Sequence, residues 1–264
     1  MAAAEAPRPE RSRRTLPAPA ERFFTEVGRF FFVLWRTLAW TPRRPFDWRE
    51  LARQMVRIGL RSIPVIMLTT LFTGAVMALQ TFTTLQRFHA ESYVGSLVAL
   101  SMVRELASVL AGLVLAGRSG SAMAAELGTM RVTEQIDALE VMATDPIHYL
   151  FVPRVWATTA MLPLLVMMGN ALGIAGGYVV AVVLMGANPV SYMENTFKFM
   201  EVDDVVSGLV KAAVFGLLIA VIGCQKGFYT SGGAEGVGYS TTNAVVTASI
   251  AILISDFFLT KLLF

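Results

Sequence analysis

The chain of 264 residues is 55% hydrophobic and only 16% charged, with 22 Lys and Arg against 19 Asp and Glu for a formal net charge of +3. A soluble domain carries about 25% charged residues, so this composition excludes an ordinary water-soluble protein of such length. The single cysteine, Cys224, excludes an intramolecular disulfide and any cysteine-based metal cluster.

Residues 1–20 are rich in Ala, Pro and Arg and lack the apolar run of a secretory signal; they read as a disordered basic cytoplasmic tail, with a transit peptide as the alternative, against which stand Glu5 and Glu10. Residues 21–40 then show a helical period. Arg22, Glu26, Arg29 and Arg36 share one face, while Phe23, Val27, Phe30, Phe31, Leu34 and Leu38 occupy the other, with Trp35 at its edge. That pattern predicts a helix lying in the membrane interface. A short sixth span is the alternative, against which stand three arginines at seven-residue spacing. Pro42 and Pro45 then break the helix.

Five apolar stretches follow, at 58–81, 95–116, 155–185, 205–224 and 241–263. Each reaches the length of about 20 residues that a bilayer core of about 30 Å requires. The third is long enough to tilt or kink, with Pro163 and Gly176–Gly177 as the natural places. The fold class is therefore all-α and polytopic. Arg and Lys crowd ahead of the first stretch (Arg43, Arg44, Arg49, Arg53, Arg57) and in the 117–154 and 225–240 connections (Arg118, Arg131, Arg154, Lys226). The remaining connections hold only Arg87 and Lys198, with Lys261 by the C-terminus. The positive-inside rule puts the N-terminus in the cytoplasm and, after five spans, the C-terminus on the far side. The basic balance follows from this topology, and no nucleic-acid motif accompanies it.

Within "ELGTMRVTEQIDALEVMATDP", residues 126–146, Val132, Ile136, Leu139 and Ala143 recur at helical spacing with Met142 beside them. Arg131, Glu134, Asp137 and Glu140 cover much of the rest. The pattern predicts an amphipathic cytoplasmic helix over 126–145, ended by Asp145–Pro146. It is either a solvated connector or a docking surface for a soluble partner. On the other side, "ANPVSYMENTFKFMEVDD" predicts a helix over 189–203, capped by Asn188 with Pro189 at its first position. Met193, Phe197 and Met200 form its stripe, and Glu194, Glu201, Asp203 and Asp204 make it acidic. It serves as a lid on the bundle or as a docking surface for an extracytoplasmic partner. "SGGAEGVG" at 231–238 lacks a Walker lysine–hydroxyl pair and reads as a flexible cytoplasmic loop.

Four charges fall inside the spans: Arg104 and Glu105 in the second, Lys211 in the fourth and Asp256 in the fifth. Each costs about 2.5–3.5 kcal/mol at the bilayer centre on insertion scales, which makes each a functional candidate. Arg104 and Glu105 are placed near mid-membrane, Lys211 and Asp256 in the outer half. Two readings stand side by side: a polar cluster lining a cavity, and interhelical ion pairs that lock the bundle. "GRSG" at 117–120 fits the Gly-x-Ser-Gly pattern of intramembrane serine proteases. His89 and His148 fall in connections on opposite sides of the membrane, however, so Ser119 has no base.

The stretch "AGRSGSAMAAELGTMRVTEQIDALEVMATDPIHYLFVPR", residues 116–154, resembles the signature of the MlaE/YrbE permease family, and the similarity extends through all five spans and the interfacial helix. The resemblance implies the membrane subunit of an ABC transporter that moves phospholipids between inner and outer membranes and maintains outer-membrane asymmetry. It implies a homodimer in the cell inner membrane, with ABC ATPase subunits, a periplasmic ring of MCE proteins and, as a further candidate partner, a small STAS-type cytoplasmic subunit. Such a permease is no enzyme and holds no cofactor of its own; ATP and Mg belong to the ATPase. On the family pattern Arg104, Glu105, Lys211 and Asp256 line the lipid cavity. Glu126, Arg131, Glu134, Asp137 and Glu140 form the helix that couples to the ATPase, and Met193, Phe197 and Met200 support the MCE ring. The alternative is a scaffold that anchors ATPase and MCE subunits without lining the lipid path.

Overall fold

The computed structural model describes residues 18–41 and 47–263, and among these no strand occurs. Most of the basic tail, and the turn with Pro42 and Pro45, lie outside the described residues. Helix α1 (Ala18–Trp40) is followed by α2 (Trp48–Ile58), whose first turn is capped by Asp47 accepting from the backbone N–H of Arg49 at 2.9 Å. A 3-10 turn, Leu60–Ser62, carries α2 into α3 (Ile63–Gln86). Next come α4 (Val94–Ser101), α5 (Ala107–Leu115) and α6 (Ser121–Val132), joined end to end by π-helical turns at Met102–Leu106 and Ala116–Gly120. The short α7 (Gln135–Val141) leads to α8 (Val152–Tyr178), which lies between π turns Ile147–Phe151 and Val179–Leu184. Helices α9 (Pro189–Lys198), α10 (Val202–Phe228) and α11 (Gly233–Leu263) complete the chain.

Five helical stretches are long and apolar enough to cross a membrane: Trp48–Gln86, Glu91–Val132, Ile147–Leu184, Val202–Phe228 and Gly233–Leu263. Each exceeds the apolar stretch read from sequence because polar flanks continue the helix past the bilayer core. Glu91–Val132 has 42 residues, about 63 Å at 1.5 Å per residue and twice the core thickness. Its α6 end therefore projects beyond the membrane.

Helices α8 and α10 form the centre, with α3 against one side of α8. Close approach relies on residues without side chains. A Cβ on Gly74 of α3 would land on the carbonyl of Gly173 in α8, and one on Gly208 of α10 would strike the carbonyl of Val103. Small residues let backbones touch where burial in lipid supplies no hydrophobic drive. Pro163 sits inside α8 without ending it, and Gly176–Gly177 lead into the π turn at Val179. Helix α11 is the least embedded, with only Ala244, Ala248 and Ile252 buried.

Several expectations need correction. The helix expected over 126–145 is two helices: α6 ends at Val132, Glu134 adopts φ 59°, and α7 runs only seven residues to Val141. Asp145 ends nothing; it starts the next helix by accepting from the N–H of Ile147 at 2.9 Å. The helix expected over 189–203 stops at Lys198, and Asp203 belongs to α10. Asn188 does cap it, accepting from Val190 at 3.0 Å and Ser191 at 3.3 Å, with Pro189 at the first position. The glycine-rich 231–238 segment is mostly helix, because α11 begins at Gly233.

Helix α1 is not among the stretches suited to crossing. Phe24, Phe31, Phe32 and Trp35 are exposed on it, while Val33 and Thr37 are buried against the bundle. The wheel therefore rotates from the expected one: Phe30 and Leu34 turn partly inward. Its polar residues are not left to water either. Glu26 accepts from Lys226 at 2.6 Å, Arg36 donates to Asp145 at 2.7 Å, and Arg29 stacks 4.5 Å over Tyr229. An apolar outer face and an ion-paired inner face fit a helix that lies along the membrane surface and is strapped to the bundle.

Candidate functional site

Three of the four intramembrane charges converge. The side chain of Lys211 has 0% relative exposure, and its ammonium donates to Glu105 Oε1 and Thr260 Oγ1, both at 2.7 Å, and to the carbonyl of Arg104 at 3.2 Å. Asp256 Oδ1 lies 3.4 Å away. The one proton of the Thr260 hydroxyl is shared between two acceptors, Glu105 Oε1 at 2.9 Å and the Asp256 carbonyl at 2.8 Å. Helices α10 and α11 and the π turn Met102–Leu106 are thus tied at one level.

Adjacent residues on this turn serve different partners because successive side chains of a helix point about 100° apart. Glu105 faces Lys211 while Arg104 reaches the start of α10, where its Nε donates to Asp204 Oδ1 at 2.7 Å. Asp204 has two tasks. Its other oxygen accepts from the Glu201 N–H at 3.1 Å, completing a capping box at the head of α10. Lys211 is nine residues beyond Val202, about 13 Å down the helix. Arg104 and Glu105 therefore meet Lys211 about a third of the way along α10 from its α9 end.

Asp204 and Thr260 were not among the expected site residues. Asp204 was read as surface acidity, although its position three residues after Glu201 marks a cap. Thr260 follows Asp256 by four residues and so shares its helix face. Their presence alters the chemistry. Two cations now face three carboxylates, and the Lys211 ammonium is saturated by protein groups. As it stands, the cluster is a lock; a phosphate could reach Lys211 only after Glu105 or Thr260 had moved away.

The residues expected to contact a soluble partner divide. Glu126 is on α6 and faces inward: Arg57 Nη1 donates to its two oxygens at 3.0 and 2.9 Å, and Arg154 lies 3.3 Å from Oε1. Arg131 and Asp137 pair at 2.5 Å across the α6–α7 bend, with Ile136 buried beneath them. Glu134 and Glu140 are exposed. The outermost side chains include Val141 and Met142, 88% and 66% exposed. Met142 was expected to flank the buried stripe, but α7 ends one residue before it and the turn throws it outward.

At the other end, α9 seats Tyr192 and Thr196 against α4 and leaves Met193 and Phe197 exposed; Met200 is half-buried just past its end. Burial pushes the Tyr192 phenol up to about 12, so it remains a neutral anchor at any ordinary pH.

Fold and cluster together define a polytopic α-helical membrane protein with an ion-pair network inside its bundle. The chain matches the family described as Permease MlaE over residues 51–262, and it belongs to that family. It is 48% identical over 243 residues to a probable ABC transporter permease protein of Rickettsia felis, covering 92% of this chain and 94% of that one. It is 38% identical over 245 residues to the intermembrane phospholipid transport system permease protein MlaE of Haemophilus influenzae, covering 92% and 93%. A chloroplast protein of Arabidopsis thaliana, trigalactosyldiacylglycerol 1, is 41% identical over 217 residues, covering 82% of this chain and 62% of that one.

Proposed function

We propose that the chain is the permease subunit of an ATP-driven transporter that moves phospholipids between inner and outer membranes and so maintains outer-membrane asymmetry. It works in the cell inner membrane as a homodimer, with its N-terminus cytoplasmic and its C-terminus periplasmic. ABC ATPases supply ATP hydrolysis, with ATP and Mg bound there rather than in this chain. An MCE ring receives or delivers the lipid outside, and a small STAS-type subunit is a further cytoplasmic partner. The observation that carries this reading is the near full-length similarity to a permease named for intermembrane phospholipid transport. The internal lock fits it: Glu105, Lys211 and Asp256 hold one state together, and breaking their contacts exposes charges able to meet a phosphate head. On this reading Arg131, Glu134, Asp137 and Glu140, with the exposed Met142, meet the ATPase, while Met193, Phe197 and Met200 face the MCE ring.

Saturation of Lys211 also suits a scaffold that anchors its partners without lining the lipid path. One experiment separates the two. The chain is purified from native membranes in mild detergent, its bound proteins and lipids are identified by mass spectrometry, and the preparation is reconstituted for ATP-dependent movement of labelled phospholipid. Co-purification of an ABC ATPase, an MCE protein and phospholipid, with transport abolished in Glu105→Gln, supports the permease. Co-purification of the proteins with transport unaffected by Glu105→Gln leaves the scaffold. A preparation lacking all of them refutes both.

A further inference from the structure

A second polar site lies toward the other end of the bundle. A cavity of about 240 Å³ opens where α2 meets α3 beside the π turn Ala116–Gly120, lined among others by Gln54, Arg57, Arg61, Arg118, Ser119 and Glu126. Three guanidiniums thus border one carboxylate, and that carboxylate is already held by Arg57 and by Arg154. Arg118 is half-buried and donates to Ser62 Oγ at 2.5 Å, whose own proton goes to the Ile58 carbonyl at 2.6 Å. Neither Arg61 nor Arg118 forms an ion pair among the described residues. Arginines at a span end ordinarily extend their heads to water, which accounts for the exposed Arg61. It does not account for Arg118, held across the helix junction by a neutral hydroxyl. A partly desolvated guanidinium without a carboxylate is matched by an anion, and its planar fork fits phosphate oxygens in pairs.

What lies beyond the arginines along the helix narrows the ligand. Arg61, Val65, Leu68, Phe72, Val76 and Leu79 recur at three- and four-residue spacing along one face, and the five apolar members are 43–60% exposed. Arg61 to Phe72 is about 16 Å at 1.5 Å per residue, close to half of a core of about 30 Å. A cationic head on an apolar stripe one leaflet deep complements a phospholipid better than an acidic protein segment, which would use the arginines and leave the stripe bare. The geometry points to a phosphate site here: the phosphodiester of a lipid in the leaflet at this end sits between Arg61 and Arg118, with its chains along Val65, Leu68 and Phe72. Arg118 and Glu105 are thirteen residues apart on the second span, about 20 Å, so this site and the Lys211 cluster do not share a ligand head. Only the choice of a membrane lipid as ligand leans on the transport reading; occupancy requires no turnover.

Binding is tested without ATP. The purified complex in detergent is titrated with phosphatidylglycerol or with diacylglycerol of the same chains, and retained lipid is counted by native mass spectrometry. Removing two charge-assisted contacts in Arg61→Gln/Arg118→Gln is expected to lower phosphatidylglycerol retention about tenfold or more, with diacylglycerol retention unchanged. Arg61→Lys/Arg118→Lys, which keeps charge without the fork, is expected to fall between. Arg61→Gln alone, at an exposed position, is expected to lose part of the retention while melting with wild type, which guards against a folding artefact in the double variant. If millimolar inorganic phosphate displaces the lipid head, the phosphate chemistry stands and its source is the solution; persistence of the lipid identifies the leaflet. Unchanged phosphatidylglycerol retention in the double variant overturns the site. So does loss of a co-purifying protein with lipid retained, which would assign the arginines to a partner carboxylate. Because the readout is equilibrium binding, failure of transport leaves this result standing, and the reverse holds as well.

Discussion

Replacing Lys211 by methionine removes the cation that lies between the Glu105 and Asp256 carboxylates, and does so at a position with no solvent exposure. Breaking a buried ion pair by removing one partner costs about 3–5 kcal/mol, chiefly because the other charge is left uncompensated. Glu105 and Asp256 keep 34% and 21% side-chain exposure, so partial hydration lowers that to about 2–4 kcal/mol. At about 2–4 °C per kcal/mol for a chain of this size, the melting temperature should fall by about 4–16 °C. Lys211→Met combined with Glu105→Gln removes a countercharge along with the cation and should recover most of the loss. The four-member cycle is read by thermal unfolding of the detergent-solubilised complex, followed by size-exclusion chromatography. A positive coupling of about 1 kcal/mol or more is expected for residues in one network. If Lys211→Met melts with wild type, or if Glu105→Gln gives no rescue, the ion pairs do not hold the bundle and the lock is wrong.

Asp204→Asn weakens the pair with Arg104 and the capping box of α10, and is expected to cost about 1–2 kcal/mol by the same unfolding assay. Gly74→Val places a branched side chain against the Gly173 backbone and should sharply lower the accumulation of folded protein, whereas Gly28→Ala, where nothing lies within 4 Å of the added carbon, should be silent. Met142→Asp should reduce co-purification of the ATPase without shifting the melting temperature, since the side chain touches little of its own chain. Glu126→Gln should instead lower the melting temperature, because Arg57 and the 5%-exposed Arg154 lose a shared carboxylate; loss of ATPase association at unchanged stability would contradict that.

Much of the architecture was legible because the signals were long. Five apolar stretches, the Asn188–Pro189 helix start and the helix over 21–40 each rest on a dozen or more residues or on a local cap. What escaped depended on backbone geometry with no compositional marker. The π turn at Met102–Leu106 has no compositional marker, and the separate partners of Arg104 and Glu105, Asp204 and Lys211, lie about a hundred residues away in sequence. The bend at Glu134 was invisible for a related reason: a left-handed residue in a stretch with continuous helical periodicity leaves the pattern of Val132, Ile136 and Leu139 intact while redirecting the chain. The contacts of Glu126 were not legible because the helical period says which residues share a face but not what that face meets. Its partners Arg57 and Arg154 are 69 and 28 residues away.

The ion pairs give the permease two polar layers with different roles. Near the α9 end, Lys211 is satisfied within the chain, and Arg104 ties the same turn to the cap of α10, so these contacts resist relative motion of α10, α11 and the π turn. Toward the other end, Glu126 joins α2, α6 and the first turn of α8, while Arg61 and Arg118 form no ion pair among the described residues and lie beside an apolar stripe. On the phosphate site proposed above, a lipid head arriving there is stabilised before any internal pair has to break. A head at the Lys211 level must compete with Glu105, which requires work of the order of the lock itself. A transporter needs such an asymmetry if lipid capture is to be easy and passage through the bundle is to be driven. Glu105 and Glu126 lie on one helical stretch, Glu91–Val132, that runs into the exposed α6–α7 bend, so a partner docked there as proposed would act on both layers through one continuous element.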